Sequence, residues 1–90
     1  MRQRQFEALQ AIVDERKYQD YRWANSDSGG HHEIAAYLAF IQHYVTRAID
    51  EATDDNPDVV HSIRKIAALA VACMEDNGAA SRHYGEEIPF

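Results

Sequence analysis

The sequence predicts an all-α protein with a three-helix core: an antiparallel hairpin of the second and third helices, completed by the first helix. Apolar residues recur at three- and four-residue steps in three stretches, clusters of turn residues separate these stretches, and ninety residues suffice for one domain. We expect a single helical domain over residues 1–78, with helices at about 3–21, 31–54 and 57–77, and a C-terminal tail over 79–90.

The first helix follows from a stripe of Phe6, Leu9, Ile12 and Val13, which helical periodicity places on one face. Its far end becomes polar and aromatic. Residues 23–30 then contain Asn, Ser, Asp and Gly in succession. This composition is typical of a loop that leads into the N-terminus of the next helix.

The second helix is predicted by apolar positions from Ile34 to Ala52, and Pro57 suits the first turn of the third helix. The short connection between them implies antiparallel neighbours. Because residues 66–74 are apolar on every side, we expect them to be covered by the other helices and by a second subunit. The tail contains Pro89 and no periodicity, which favours an extended arm.

Composition limits the class of protein. A chain of ninety residues buries only about 60 to 65% of its unfolded surface, so self-association into a homodimer or larger helical bundle is expected. No apolar run approaches the roughly 20 residues of a membrane span, and no secretion signal is visible at the N-terminus. The single cysteine, Cys73, cannot form an internal disulfide, and we expect a soluble, cytoplasmic protein.

The net charge of −6 makes nucleic acid an unexpected partner, because phosphate backbones are bound by clustered Lys and Arg. Acidic residues concentrate over residues 50–58. This run is more typical of a solvated helix end and loop than of a metal site.

Three segments together carry a resemblance to a known family. The first helix ends with Glu15, Arg16, Gln19 and Trp23, and the later helices contain YLAFIQHYVTRA (37–48) and IAALAVACME (66–75). Over about residues 10–77, this order resembles small phage and bacterial members of the MazG-like, all-α nucleotide pyrophosphohydrolase superfamily. The resemblance implies a helical bundle, a nucleotide ligand and a phage or prophage origin.

The sequence departs from that family at the metal site. In the family, a pair of acids on the second helix faces a similar pair on the third, and together they bind Mg²⁺. Those positions map to Tyr44 and Arg47, and to Ser62 and Lys65. Folding the hairpin about Asn56 also places Arg47 level with Lys65, and two cations at one level cannot coordinate Mg²⁺. We therefore expect no metal, no cofactor and no catalytic residues.

Other acids could replace the missing pairs only in an oligomer. Glu51 and Asp54 lie near the turn, whereas Glu75 and Asp76 lie at the opposite end of the hairpin. At 1.5 Å per residue the two pairs are roughly 25 to 30 Å apart within one chain. A symmetric dimer would be needed to bring them together.

Five side chains are candidates for ligand binding: Arg16, Gln19, Trp23, Arg47 and Lys65. The cations could bind phosphate directly as fixed charges that replace a metal, or they could pair with nearby acids on the hairpin surface. Trp23, with Tyr18 and Tyr21 beside it, could stack on a base or close the core as a lid.

Other chemistry is poorly supported. His31 and His32 diverge by about 100° on a helix and cannot share a zinc ion. Cys73 lies in the apolar run, Ser62 has no correctly placed base, and the glycines lack the spacing of a phosphate-binding loop.

The leading hypothesis is a MazG-like helical protein that lacks the Mg²⁺-binding carboxylates, performs no catalysis and binds a nucleotide or phosphate ligand. One alternative is a helical protein–protein interaction module of phage origin. Another is a working nucleotide pyrophosphohydrolase with a relocated acidic site.

Overall fold

The computed structural model of the protein describes residues 2–25 and 31–82. This part of the chain forms three helices and no strand: α1 (Gln3–Trp23), α2 (Ile34–Thr53) and α3 (Val59–Asn77). α2 and α3 pack together along the hairpin, and α1 packs against α3. The predicted all-α, three-helix fold class is confirmed. Among the described residues, no helix combines the length and the apolar character that crossing a bilayer requires.

A tight turn reverses the chain between α2 and α3. Asp55 has a positive φ of 55°, a conformation that short polar side chains tolerate better than most. The Asn56 N–H donates to the Glu51 carbonyl at 2.8 Å, while the Asn56 side-chain oxygen accepts from the Asp58 N–H at 2.9 Å. These bonds supply partners for backbone groups that the ends of the two helices leave unpaired, so the turn is defined locally. α3 begins at Val59, two residues after Pro57.

The segment before α2 is held by α3, and α2 consequently begins three residues later than the sequence suggests. Asp76 lies 3.0 Å from the His31 ring and accepts the His32 N–H at 3.4 Å, and Asn77 donates to the His32 carbonyl at 3.3 Å. Glu33 is extended, with φ −73° and ψ 160°. Part of the predicted loop over 23–30, and the tail beyond residue 82, lie outside the described residues.

The apolar core is small and lies toward the end of the hairpin that is away from the turn. Its buried apolar residues are Tyr37, Ala68, Leu69 and Ala72, and Trp23, Ile41, Tyr44 and Cys73 pack partly buried around them. Because α3 contributes three of the four buried apolar residues in the described part of the chain, it is the element against which the other two helices are stabilised.

The first turns of α1 are exposed to solvent. Phe6, Leu9 and Val13, which the periodicity groups into one apolar stripe, are all exposed, as is every residue from 2 to 10. Hydrogen bonds within the helix, from Gln3 to Glu7 at 3.1 Å and from Gln10 to Asp14 at 3.0 Å, support this segment locally. Periodicity identifies an apolar face but does not show what covers it, which is why this stripe is apolar and yet exposed.

Leu69→Ala should strongly destabilise the protein, because Leu69 is only 3% exposed at the centre of the core. Removing its buried side chain should lower the free energy of unfolding by about 2 to 5 kcal/mol. Urea denaturation at one fixed protein concentration measures the change. Val60→Ala, at a position 60% exposed on the same helix, is the control and should change stability by no more than about 0.5 kcal/mol. Equal losses in the two variants would contradict the assignment of the core.

Candidate functional site

Charged side chains fix the crossing of α1 over α3. The Arg64 Nε donates to a Glu15 carboxylate oxygen at 2.6 Å, and the Arg16 guanidinium donates to both oxygens of Glu75 at 2.7 and 3.2 Å. Glu15 is only 7% exposed, and a carboxylate so poorly hydrated needs a partner of opposite charge to be tolerated. The two arginine–glutamate pairs therefore determine where the second half of α1 lies on α3.

A cavity of about 270 Å³ lies beside this crossing. Its walls combine aromatic rings, an amide, cations and one carboxylate, and they are formed by Glu15, Tyr18, Gln19, Arg22, Trp23, Tyr44, Lys65 and Leu69. The cavity thus brings together Gln19, Trp23 and Lys65, three of the five ligand-binding candidates. The Lys65 Nζ lies 5.3 Å from the centroid of the Tyr44 ring, a distance at which a cation is attracted to an aromatic face.

The amide of Gln19 has a defined orientation. Arg16 donates from its Nη1 to the Gln19 Oε1 at 3.2 Å, and a guanidinium can only donate. The oxygen of the amide is therefore engaged by Arg16, and the NH₂ group is the end that remains able to donate. Because Gln19 lines the cavity, a ligand there would meet a hydrogen-bond donor rather than an acceptor.

Arg16 has a supporting position. It bonds Glu75, Gln19 and, at 2.9 Å, Asp20. The hydrogen bond to Glu75 raises the pKa of the guanidinium despite its partial burial. Because Arg16 donates to these three side chains, it orients Gln19, but it does not itself line the cavity.

Arg47 lies elsewhere. It lines a separate, larger groove of about 690 Å³ on the outer side of α2, together with the acidic residues Asp50, Glu51 and Asp54. Its Nε is 3.7 Å from a Glu51 oxygen, and more than half of its side chain is exposed, so this pair contributes little to stability. Arg47 does not line the cavity that contains Lys65, although both residues are nine positions from Asn56.

Ser62 and Glu51 form a buried polar contact between α2 and α3 near the turn. The Ser62 hydroxyl donates to a Glu51 carboxylate oxygen at 2.5 Å, and both side chains are buried. Ser62 occupies one of the positions that the family resemblance assigns to a metal ligand. Here a hydroxyl donor at that position engages a carboxylate that could otherwise bind a cation.

The two acids near the C-terminus of α3 are also engaged. Glu75 accepts from Arg16, and this hydrogen bond holds the pKa of its carboxyl below the ordinary value. Asp76 accepts from the Tyr37 hydroxyl and lies beside His31, and these hydrogen bonds likewise lower its pKa. Burial, followed by the bond to Asp76, raises the pKa of the Tyr37 hydroxyl. Within residues 2–25 and 31–82, no group of three or more His, Cys, Asp or Glu side chains is arranged to hold a metal ion.

Sequence reasoning did not identify Glu15 and Arg22 as residues of the cavity, and it assigned Tyr44 to a vacant metal position. A signal was available on α1, where Glu15, Gln19 and Arg22 recur at steps of four and three on the face that meets α3. Tyr21, considered beside Trp23, is 78% exposed and does not line the cavity, whereas Tyr18 does.

No family model, curated protein or solved structure matches this chain. The resemblance to the MazG-like superfamily therefore stays a prediction. The function proposed below is inferred from the geometry of the cavity and its surroundings.

Asp76→Asn should reduce the pH dependence of the free energy of unfolding in the acid range. Because Tyr37 and His31 lower the pKa of Asp76 below its ordinary 3.8, the carboxylate contributes stability above that pH. The contribution is lost as the pH falls through the still lower pKa of the folded state. Urea midpoints between about pH 2 and about pH 7 should therefore show wild type and variant converging at the acid end.

Asp14→Asn is the matched control, since Asp14 is exposed and accepts a hydrogen bond from Gln10 on the same helix. It should leave the pH dependence of the wild type intact. A gap between Asp76→Asn and wild type that stays constant down to the acid end would contradict the assigned hydrogen bonds.

Proposed function

We propose that this protein binds a nucleotide, a planar base bearing phosphate, in the cavity beside the α1–α3 crossing, without a metal ion and without hydrolysing it. The observation that carries the proposal is the convergence of Trp23, Gln19 and Lys65 on one cavity. These side chains offer a stacking surface, an oriented donor and a cation, which are the three contacts that a nucleotide requires. On this proposal, the chain is a MazG-like scaffold that keeps a ligand pocket and has lost the metal site.

The base would stack against the aromatic wall. The Trp23 ring is held by edge and tilted contacts to His32 at 5.5 Å and Tyr37 at 6.4 Å between centroids. A ring fixed in this way loses little entropy when a ligand binds, and stacking contributes about 1 to 3 kcal/mol per base. The volume of about 270 Å³ is near the lower limit for ligand pockets, which favours one base over a dinucleotide.

The Gln19 amide would select the edge of the base. With its oxygen bonded to Arg16, its NH₂ group can donate to a carbonyl oxygen or ring nitrogen of the ligand. A ligand that lacks such an acceptor would leave the donor unpaired on binding, and that costs about 1 to 3 kcal/mol.

Lys65 would contact the phosphate. Its side chain is half-buried beside Tyr44, and within the described part of the chain it forms no ion pair with a carboxylate. Its charge is therefore not neutralised by a neighbouring acid and can interact with an anionic ligand. Arg22, exposed at the same cavity, supplies a second cation.

Binding without hydrolysis follows from the chemistry of the side chains. The family resemblance implies that hydrolysis needs Mg²⁺ held by two pairs of acids, whereas Tyr44, Arg47, Ser62 and Lys65 occupy those positions. The alternative of a relocated acidic site is less well supported, because Glu51, Glu75 and Asp76 already accept hydrogen bonds.

The alternative of a protein–protein interaction module is favoured by one separate observation, the large exposed apolar side chains on α2 and α3. It is compatible with a ligand cavity on another side of the molecule. The cytoplasmic location and phage origin expected from the sequence stay predictions.

Lys65→Gln should weaken nucleotide binding about tenfold or more, because a charge-assisted hydrogen bond is worth about 1.5 to 3 kcal/mol. Trp23 is the only tryptophan of the chain, so titration of its fluorescence with nucleoside mono- and triphosphates in EDTA measures affinity at the cavity. Arg47→Gln removes a cation outside the cavity and should leave affinity unchanged, as should Lys17→Gln on the exposed side of α1.

Absence of binding at millimolar nucleotide would overturn the proposed function, as would Mg²⁺-dependent release of pyrophosphate. A loss of affinity in Arg47→Gln that equals the loss in Lys65→Gln would instead place the phosphate in the outer groove of α2.

Gln19→Glu should lower nucleotide affinity by about tenfold while preserving the shape of the side chain, because a carboxylate replaces the NH₂ donor with an acceptor. The new carboxylate can still accept from Arg16, so the fold should persist, and circular dichroism verifies this. The same fluorescence titration gives the affinity. Unchanged affinity would show that the amide does not contact the base.

A further inference from the structure

One face of the α2–α3 hairpin consists of exposed apolar side chains. It is formed by residues that helical spacing places on one side of α2 and by residues on the same side of α3. Each of these side chains is between 38% and 60% exposed. We refer to it as the bare face, and its exposed residues are Ile34, Leu38, Val45, Ile49, Ile63 and Met74.

The bare face lies on a different side of the hairpin from α1. On α3, the residues that contact α1 include Arg64 and Glu75, which bond Glu15 and Arg16. At about 100° per residue, Ile63 and Met74 lie about 100° around α3 from Arg64 and Glu75, the residues that directly follow them in the sequence. α1 therefore cannot cover the bare face in this fold.

Within residues 2–25 and 31–82, the bare face carries no ionisable group. Between its exposed residues lie Ile41, Ile66 and Ala70, which are half-buried and equally apolar. The charged side chains of the described residues lie on other surfaces. Two copies could approach through this face without bringing like charges together.

The size of the bare face suits a protein–protein contact. α2 and α3 have 20 and 19 residues, which correspond to lengths of about 30 Å at 1.5 Å per residue. Two helices packed 8 to 10 Å apart present a strip about 20 Å wide, or about 600 Å² in projection. Its accessible area approaches the roughly 800 Å² that each partner of a stable complex buries, and it is large for a patch on a monomer.

We propose that a second copy of this chain covers the bare face, and that the two hairpins form a two-fold symmetric four-helix arrangement. A two-fold interface requires a surface that complements itself, and a uniformly apolar strip of two antiparallel helices meets this requirement. In the described part of one chain the buried apolar core comprises four residues, which is small, and burying the bare face adds a second core.

This dimer is independent of the proposed nucleotide site. The cavity is formed by α1 with Tyr44, Lys65 and Leu69, on the α1 side of the hairpin, and each copy contains all of its lining residues. The face-to-face arrangement leaves both cavities open. Loss of dimerisation should therefore leave nucleotide affinity unchanged, so the two proposals can fail separately.

Sedimentation of the full chain at tens of micromolar should give the mass of a dimer, and the thermal midpoint should fall on dilution. The double variant Leu38→Glu, Ile63→Glu should sediment as a monomer, because two carboxylates per chain would be buried without partners. Tyr21→Glu, at a 78% exposed apolar position on α1, is the matched control and should remain a dimer.

A monomeric wild type whose thermal midpoint does not change over a hundredfold dilution would overturn the proposal. That result, together with self-association after truncation at residue 82, would assign the bare face to the C-terminal tail instead. A double variant that stays dimeric would place the interface elsewhere. If the double variant loses its helical circular dichroism signal, the concentration dependence of the wild type decides the question.

Discussion

The need of buried carboxylates on both flanks of α3 for a hydrogen-bond donor constrains this structure more than any other interaction. Glu15 of α1 and Glu51 of α2 are each less than 10% exposed, and each is accommodated by a donor on α3, Arg64 in one case and Ser62 in the other. A buried carboxylate without such a partner would destabilise the fold by several kcal/mol. The first contact helps to fix the crossing of α1 over α3, and the second joins α2 to α3. Both contacts use acids that could otherwise have bound a cation.

The position of the ligand cavity follows from that crossing. Because the second half of α1 is anchored at Arg64 and Glu75, the last turns of α1 lie over Tyr44, Lys65 and Leu69. Arg16 serves twice, since it joins α1 to α3 and also orients the Gln19 amide. A polar contact that stabilises the fold thereby also determines which hydrogen-bonding group the cavity presents. Among the described residues, the bare face of the hairpin is apolar and uncharged, so the two sides suit different partners.

The sequence predicted the helices well because their signals are local. Periodicity and the Asp-Asp-Asn-Pro turn locate the hairpin, and the Glu51–Ser62 bond is consistent with a reversal near Asn56. The start of α2, in contrast, is set by a long-range contact. Asp76 bonds His31 and His32, which lie just before the helix and more than forty residues away in the sequence. A contact of that range leaves no local pattern in the sequence.

The site was only partly predictable for a related reason. Counting from the turn places Arg47 and Lys65 at one level along the hairpin, but it does not give the direction in which each side chain leaves its helix. Lys65 points toward Tyr44 and the cavity, whereas Arg47 lies in the groove outside α2. The exposure of Phe6 and Leu9 could not be read from periodicity either, because it depends on where α1 crosses α3.

The carboxylates at the contacts between helices, Glu15, Glu51, Glu75 and Asp76, are already engaged by protein donors and do not hold a divalent cation. Electron paramagnetic resonance of Mn²⁺, titrated with the full chain in the presence and absence of a nucleoside triphosphate, tests it most directly, since bound Mn²⁺ loses the signal of the free ion. The account predicts that the protein does not reduce the Mn²⁺ signal beyond the effect of the nucleotide alone. A stoichiometric loss of signal that is abolished by Glu51→Gln or Glu75→Gln would contradict it.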